Sequence, residues 1–174
     1  MADLLWTYAN QLTIKPISAN YGQTKFEQIM LEVQVEDLQK LLGFDFYQDL
    51  IQNPTDTWNK KLLDGGTYTY NSVTYFYEGL KYVLAYFAYA RYVRVSSKKD
   101  TATGFVSKQF EDSRQINDGD ESNLHKDFRK IAFKYWEECQ KFLSANSSEF
   151  SYYYADPLPS RCWPSENYNK AYFL

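Results

Sequence analysis

Glu78-Gly79-Leu80-Lys81-Tyr82-Val83-Leu84-Ala85-Tyr86-Phe87-Ala88-Tyr89-Ala90-Arg91-Tyr92-Val93-Arg94-Val95-Ser96 is the stretch whose reading decides the fold. It has no helix breaker after Gly79, and apolar residues recur at helical spacing. The pattern predicts one long helix over 76–96. Phe76, Leu80, Leu84, Phe87, Arg91 and Val95 form one stripe, and Tyr82, Tyr86, Tyr89 and Val93 a second. A helix that is apolar on nearly every side is buried on nearly every side. Such a helix is either the centre of a bundle or wedged between its own core and a neighbouring copy. The second arrangement makes Tyr82, Tyr86, Tyr89 and Val93 candidate subunit-interface residues.

Outward from that helix, the pattern stays helical on both sides. Toward the N-terminus, Phe26, Ile29, Met30 and Val33 fall at i, i+3, i+4 and i+7. Val35, Leu38, Leu41 and Leu42 predict a second short helix, closed by Gly43. Phe46, Tyr47, Leu50 and Ile51 predict a third. Asn53-Pro54-Thr55-Asp56 reads as the start of a fourth, with Asn53 as cap and Trp58, Leu62 and Leu63 as its apolar side. Toward the C-terminus, residues 97–104 read as a loop and 105–116 as a short helix or turn, broken by Asn117-Asp118-Gly119-Asp120. A last helix over 121–145 carries Leu124, Phe128, Ile131, Ala132, Tyr135, Cys139, Phe142 and Leu143 on its stripe.

Between the helices, Thr67-Tyr68-Thr69-Tyr70-Asn71-Ser72-Val73-Thr74-Tyr75 alternates β-prone residues around an Asn-Ser turn, which predicts a hairpin near 67–75. A lone hairpin is marginal in water, so it packs on the helices or on a neighbouring subunit. Residues 1–23 have no clean period and read as an irregular arm that lies on some surface. Residues 147–174 hold Phe150, Tyr152, Tyr153, Tyr154, Trp163, Tyr168, Tyr172 and Phe173 among three prolines. Proline rules out a continuous helix there, and disordered segments are poor in aromatics. The expectation is a C-terminal arm that binds along a surface, its own or a partner's. The whole is then mainly α: a helical bundle over 24–146 with one small β-hairpin and extended N- and C-terminal arms.

Composition narrows the function. The 33 aromatic residues (17 Tyr, 12 Phe, 4 Trp) make up 19% of the chain. That exceeds what one small core hides, and Tyr and Trp suit surfaces that meet a partner. A net charge of -3 argues against wrapping nucleic acid through its phosphates. Cys139 and Cys162 are too few for a disulfide framework. No stretch reaches the roughly 20 apolar residues of a membrane span. The first residues carry no basic region or cleavage pattern, so use without export is expected.

No chemistry-bearing motif stands out. His125 is the single histidine, and it follows a core position on a helix. No Cys/His cluster has zinc spacing. Gly65-Gly66 follows a helix rather than a strand and is no phosphate loop. Asp118-Gly119-Asp120-Glu121 lacks the spaced ligands of a calcium loop. The expectation is a non-enzyme with no cofactor and no metal. Arg91, Arg94, Lys98 and Lys99 form a basic run at the end of the main helix. The helix dipole accounts for the two arginines better than for the lysines; in a ring, the run could face a DNA-filled channel.

Several segments in order resemble a known protein type. They are Leu41-Leu42-Gly43-Phe44-Asp45-Phe46-Tyr47-Gln48-Asp49-Leu50, Gly65-Gly66-Thr67-Tyr68-Thr69-Tyr70, the stretch 78–91, Thr103-Gly104-Phe105-Val106-Ser107-Lys108, and Tyr135-Trp136-Glu137-Glu138-Cys139-Gln140-Lys141-Phe142-Leu143. The order is similar to that of the head-to-tail connector (adaptor) proteins of tailed bacteriophages, closest to those of Bacteroidetes and crAss-like phages. It covers residues 24–146, in order and composition rather than in a catalytic motif. The resemblance implies a homo-oligomeric ring, often a dodecamer, in the virion neck, assembled in the bacterial host cytoplasm. Such a ring joins the portal protein to neighbouring ring or tail proteins and continues the DNA channel. DNA passes it without sequence-specific binding, and no membrane is involved. The aromatics of the tail, Tyr152, Tyr153, Tyr154, Trp163, Tyr168, Tyr172 and Phe173, then become candidates for docking onto the portal or another partner. The other reading is a carbohydrate- or peptide-binding module of a phage tail or bacterial surface protein, with exposed Tyr and Trp as stacking platforms.

Overall fold

The computed structural model describes residues 4–96, 98–101, 104–107 and 118–150. Seven helices are described: α1 (Tyr8–Ile14), α2 (Gln23–Val33), α3 (Gln39–Leu42), α4 (Phe44–Gln52), α5 (Thr57–Asp64), α6 (Leu80–Ser96) and α7 (Asp118–Ala145). A π-helical turn, Gln34–Leu38, joins α2 to α3 without a break. Strands β1 (Gly66–Tyr70) and β2 (Val73–Tyr77) form one antiparallel hairpin, and β3 (Lys98–Thr101) and β4 (Gly104–Ser107) a second. The protein is therefore mainly α, a helical bundle with small β-hairpins.

Helix α6 is the centre of the bundle. Leu80, Val83, Leu84, Phe87 and Ala88 are fully buried. Helix α2 covers one side with Phe26, Ile29, Met30 and Val33, and α7 covers the other with Ala132, Trp136, Cys139, Phe142 and Leu143. Each large side chain in this core contributes about 1.5–3 kcal/mol of transfer free energy. The all-round apolar character of α6 thus has an intramolecular cause: the chain's own α2 and α7 cover it.

The hairpin turns where expected, at Asn71 and Ser72, and its strands run one residue further at the start and two at the end. Gly66 pairs with Tyr77 and Tyr70 with Val73. As a result α6 begins at Leu80 rather than at 76, and Phe76 belongs to β2 rather than to the helix stripe. The break between strand and helix uses Gly65 (φ 76°) and Gly79 (φ 83°), which pack backbone to backbone. A Cβ on Gly79 would lie 2.4 Å from the Gly65 nitrogen, and one on Gly65 would lie 2.4 Å from the Glu78 carbonyl carbon.

Other boundaries shift for local reasons. Residues 97–104 are not a simple loop, because 98–101 pair with 104–107. The short helix or turn expected over 105–116 is a strand at its start, and 108–117 lie outside the described residues. Helix α7 starts at Asp118, so Asp118-Gly119-Asp120 opens the helix instead of breaking it; acids are favourable at a helix N-terminus. Asn53 does not cap α5. Asp56 does, accepting from the Trp58 amide at 3.0 Å, while Asn53 closes α4. Val35 is exposed because the π-turn moves the buried stripe from Val33 to Leu38 and Leu42.

The N-terminal stretch is more regular than its sequence suggests, and the surface it lies on is the chain's own. Thr7 and Asn10 form a reciprocal capping box for α1. Trp6 and Leu5 are buried in the core. The Trp6 indole N–H donates to Gln11 Oε1 at 3.3 Å, and the Leu5 amide donates to Gln34 Oε1 at 2.9 Å. At the other end Phe150 is buried against Phe46, Trp58 and Phe142, so it belongs to the bundle rather than to the arm expected from 147; residues 151–174 lie outside the described residues.

Candidate interaction surface

The first hairpin is built from Thr, Tyr, Val and Phe, residues that favour a pleated, half-buried surface. Asn71 (φ 48°) and Ser72 (φ 63°) both sit in the left-handed region, the pattern of the tight turn that matches strand twist. The register puts Tyr77, Tyr68, Tyr75, Tyr70 and Val73 on one face, and Thr67, Thr69, Thr74 and Phe76 on the other.

At its root the first face is anchored. The Tyr77 ring stacks on Phe142 at 4.5 Å, and its hydroxyl donates to the Lys61 carbonyl at 2.7 Å. Burial pushes that hydroxyl's pKa well above the ordinary tyrosine value. Tyr68 meets Phe142 edge-on at 5.5 Å, and Tyr75 stacks on Tyr68 at 5.5 Å. Beyond Tyr68 the hairpin runs off the bundle. Exposure along β2 climbs from 2% at Tyr77 to 42% at Tyr75 and 50% at Val73; Tyr70 is 50% exposed and Phe76 63%. Four large apolar side chains thus stand in water on one small element, with no charged residue between 66 and 77. Tyr70, Val73 and Tyr75 form an exposed strip on one face, with Phe76 on the other. Exposed apolar surface of this kind marks a contact site.

A second constellation lies on the opposite half of α6. The π-turn brings Glu36 and Asp37 toward α6 and α7. Arg91 Nε and Nη2 both reach Asp37 Oδ2, at 3.1 and 2.9 Å, and Nη2 also donates to Glu36 Oε2 at 2.6 Å. Glu32 Oε2 lies 3.6 Å from Arg91 Nη1. Arg129 of α7 donates to Asp37 Oδ1 at 3.0 Å, and its guanidinium lies 4.8 Å over the Phe87 ring. Burial works to lower the Arg91 pKa, but Asp37 and Glu36 raise it on balance. His125 is half-buried nearby. Burial, then the positive charges of Arg129, Arg94 and Arg91, push its pKa down to about 4, so it is neutral at pH 7. This cluster ties three helices together. It offers no free charge at Arg91.

The expected site residues fall into three groups. Tyr82, Tyr86, Tyr89 and Val93 are half-buried and packed within the chain: Tyr82 and Tyr86 lie 5.4 Å from Tyr135, and Tyr89 lies 4.7 Å from Phe128. Tyr82, Tyr86 and Tyr89 thus pack on α7, and Val93 packs against the core. In the basic run, Arg91 is engaged by three carboxylates, and Arg94 is exposed. The side chains of Lys98 and Lys99, and all of Tyr152, Tyr153, Tyr154, Trp163, Tyr168, Tyr172 and Phe173, lie outside the described residues.

Sequence reasoning missed the exposed Tyr70, Val73, Tyr75 and Phe76 as a surface, although the marginal stability of a lone hairpin was the signal. It also missed the Asp37–Arg91–Arg129 cluster. The signal there was an arginine inside an apolar stripe, which requires a counter-charge from elsewhere in the fold. Among the described residues no group of three or more His, Cys, Asp or Glu is placed to hold a metal ion, and no helix is long and apolar enough to cross a membrane.

A family model described as a family of unknown function (DUF6712) matches residues 38–159. That span includes α4, α5, the first hairpin, α6 and α7. No curated protein and no solved structure matches the chain.

Proposed function

Because the chain belongs to the DUF6712 family, whose function is unknown, we propose its role from the molecule itself: a structural subunit of an oligomeric ring at a phage head-to-tail junction. The observation that carries this reading is the uncharged hairpin that leaves Tyr70, Val73, Tyr75 and Phe76 in water. A protein that displays such a patch is built to cover it with another molecule. The order of segments from Leu41 to Leu143, similar to phage connectors, supports a ring of copies as that assembly. In a closed ring the contact is heterologous, so the hairpin of one copy meets a different surface of the next.

In this proposal the tail aromatics Trp163, Tyr168, Tyr172 and Phe173 dock onto the portal or the next ring. Arg94, Lys98 and Lys99 are the cations left for passing DNA, since Arg91 is neutralised within the fold. The mild net negative charge keeps that contact weak. The virion neck is the corresponding location. A second reading, an aromatic platform for glycans, draws on the same exposed Phe76 and Tyr75 rings.

Light scattering and negative-stain microscopy of the full chain, with and without a portal protein, test the proposal. Closed rings, or ring formation on portal addition, are the expected result. A protein that stays monomeric under both conditions and binds oligosaccharides would overturn it in favour of the glycan platform.

A further inference from the structure

Helix α4, the start of α5 and the residues just after α7 line a cleft of about 250 Å³. Phe46 and Phe150 form its apolar wall, with ring centroids 5.7 Å apart. Around them stand Asp49, Asn53, Asp56, Asn59 and Glu149, three carboxylates and two amides. No lysine or arginine is among the described lining residues, and none of the three carboxylates is in an ion pair with a described residue. The volume falls below the roughly 300–1,000 Å³ of ordinary small-molecule sites and suits a single side chain.

Hydrogen bonds fix what the cleft offers. Asn53 Nδ2 donates to Asp49 Oδ1 at 2.9 Å, and Asn59 Nδ2 donates to Asp49 Oδ2 and to the Asn53 carbonyl, both at 3.1 Å. Only the NH2 end of an amide donates, so both amides are locked with their nitrogens toward these acceptors and their carbonyl oxygens turned away from them. Asn59 is 4% exposed, yet no described donor reaches its Oδ1. A buried carbonyl oxygen without a donor costs free energy, so this side chain itself calls for a donor from outside the fold. Asp56 Oδ1 accepts from the Trp58 amide at 3.0 Å, and Glu149 Oε1 accepts from the Ser148 hydroxyl at 3.4 Å. No described donor reaches the second oxygen of either carboxylate. The side chains of the cleft thus present acceptors, their own amide donors being already engaged.

A ligand matched to this lining is positive and carries donors only. The three carboxylates are not placed to hold a metal ion. A guanidinium has several N–H donors in one plane and no acceptor, and its flat face stacks on aromatic rings. An ammonium is a compact, strongly hydrated point charge that gains less from a flat wall. We propose that this cleft binds the guanidinium of an arginine side chain presented by a partner protein, held by Asp56, Glu149 and Asn59 Oδ1 against Phe46 and Phe150. Asp49 adds its charge, and the C-terminal end of α4 favours a cation at the same place. The site is separate from the hairpin face and stands whether or not the chain forms rings.

The test is saturation-transfer NMR on the full chain, which reads the probe's own protons and works on a single chain or an assembly. The probes are N-acetyl-arginine amide, its lysine counterpart, and its citrulline counterpart, which keeps the arginine shape without the charge. The expected result is saturable binding of the arginine probe with a dissociation constant on the order of 1 mM. Transfer is strongest at the methylene beside the guanidinium, which lies against the phenylalanine rings. The lysine probe binds at least about tenfold more weakly, and the citrulline probe does not saturate. In Asp56→Asn with Glu149→Gln the circular dichroism is unchanged, because asparagine also caps a helix, and arginine binding weakens by at least about tenfold. Glu149→Gln alone, at an exposed position, weakens it by about threefold and keeps the site testable should the double variant fold poorly. An arginine probe that does not saturate, lysine or citrulline bound equally well, or an affinity unchanged in the variants would each overturn the proposal.

Discussion

Asp37 is the residue on which the arginine cluster between α6 and α7 depends. Its carboxylate is 10% exposed and accepts from two arginines on two helices, whereas Glu32, 59% exposed, only approaches Arg91. Breaking a largely buried pair strands the remaining charges, while an exposed pair is worth little. Asp37→Asn is therefore expected to cost about 3 kcal/mol in a urea melt, and Glu32→Gln less than about 1 kcal/mol. Equal effects would mean that Asp37 is not the hub. His125 gives the same region a pH dependence. Its pKa is pushed down to about 4 from the usual 6.5, so on acidification the unfolded chain takes up the proton first. Stability is then fully present above about pH 6.5 and declines as pH falls toward 4. In His125→Gln that part of the decline disappears, as thermal melts across pH 4–7 will show. At this scale the sequence was half legible. Arg91 stood out, but its partners lie 54 to 59 positions away, and a chain of letters does not show which distant acids a fold brings together.

Periodicity decided which elements could be read in advance. The first hairpin declared itself through period-two alternation and its Asn71-Ser72 turn, and α2, α4, α6 and α7 through helical stripes. Helix α1 did not, because seven residues are too few for a period and its stability comes from the Thr7–Asn10 box and from Trp6 in the core. Strands β3 and β4 did not, because Lys98-Lys99-Asp100-Thr101 alternates nothing. Two changes test the local geometry. Ser72→Gly relieves a left-handed residue and is expected to stabilise the chain by about 0.5–1 kcal/mol. Gly79→Ala drives a methyl into the Gly65 backbone, so it is expected to cost several times the roughly 1 kcal/mol of Gly43→Ala, where the same sign of φ meets open space. Denaturant midpoints that rank the two glycine variants the other way would contradict the close approach.

Across the whole molecule, helix α7 changes what the aromatic richness means. Most described rings pack within the chain, and one run of contacts leads from Tyr82 through Tyr135 and Tyr86 to Phe128 and Tyr89. Among the described residues, exposed large apolar side chains are therefore densest at the hairpin, with Leu12, Val35, Phe44 and Val95 scattered singly elsewhere. Composition indicated a surplus but not its place, since position depends on which helix packs where. The prediction at this scale concerns solubility. Replacing Tyr75 and Phe76 together by Ser, Tyr75→Ser with Phe76→Ser, is expected to leave helicity and melting nearly unchanged while abolishing self-association in light scattering. Loss of the fold instead would place the hairpin tip in the core.

The π-turn has a consequence for the chain's length. Its five residues, Gln34–Leu38, hold one more than an α-turn would, and the buried stripe steps from Val33 to Leu38 where a regular helix would step to position 37. Removal of exposed Val35 therefore shortens the polypeptide by one without throwing the downstream leucines out of phase. What such a deletion forfeits is the bulge that aims Asp37 at both guanidinium groups. A shortened molecule of this kind would keep its greasy interior and lose its inner salt, melting earlier yet giving the same circular dichroism spectrum.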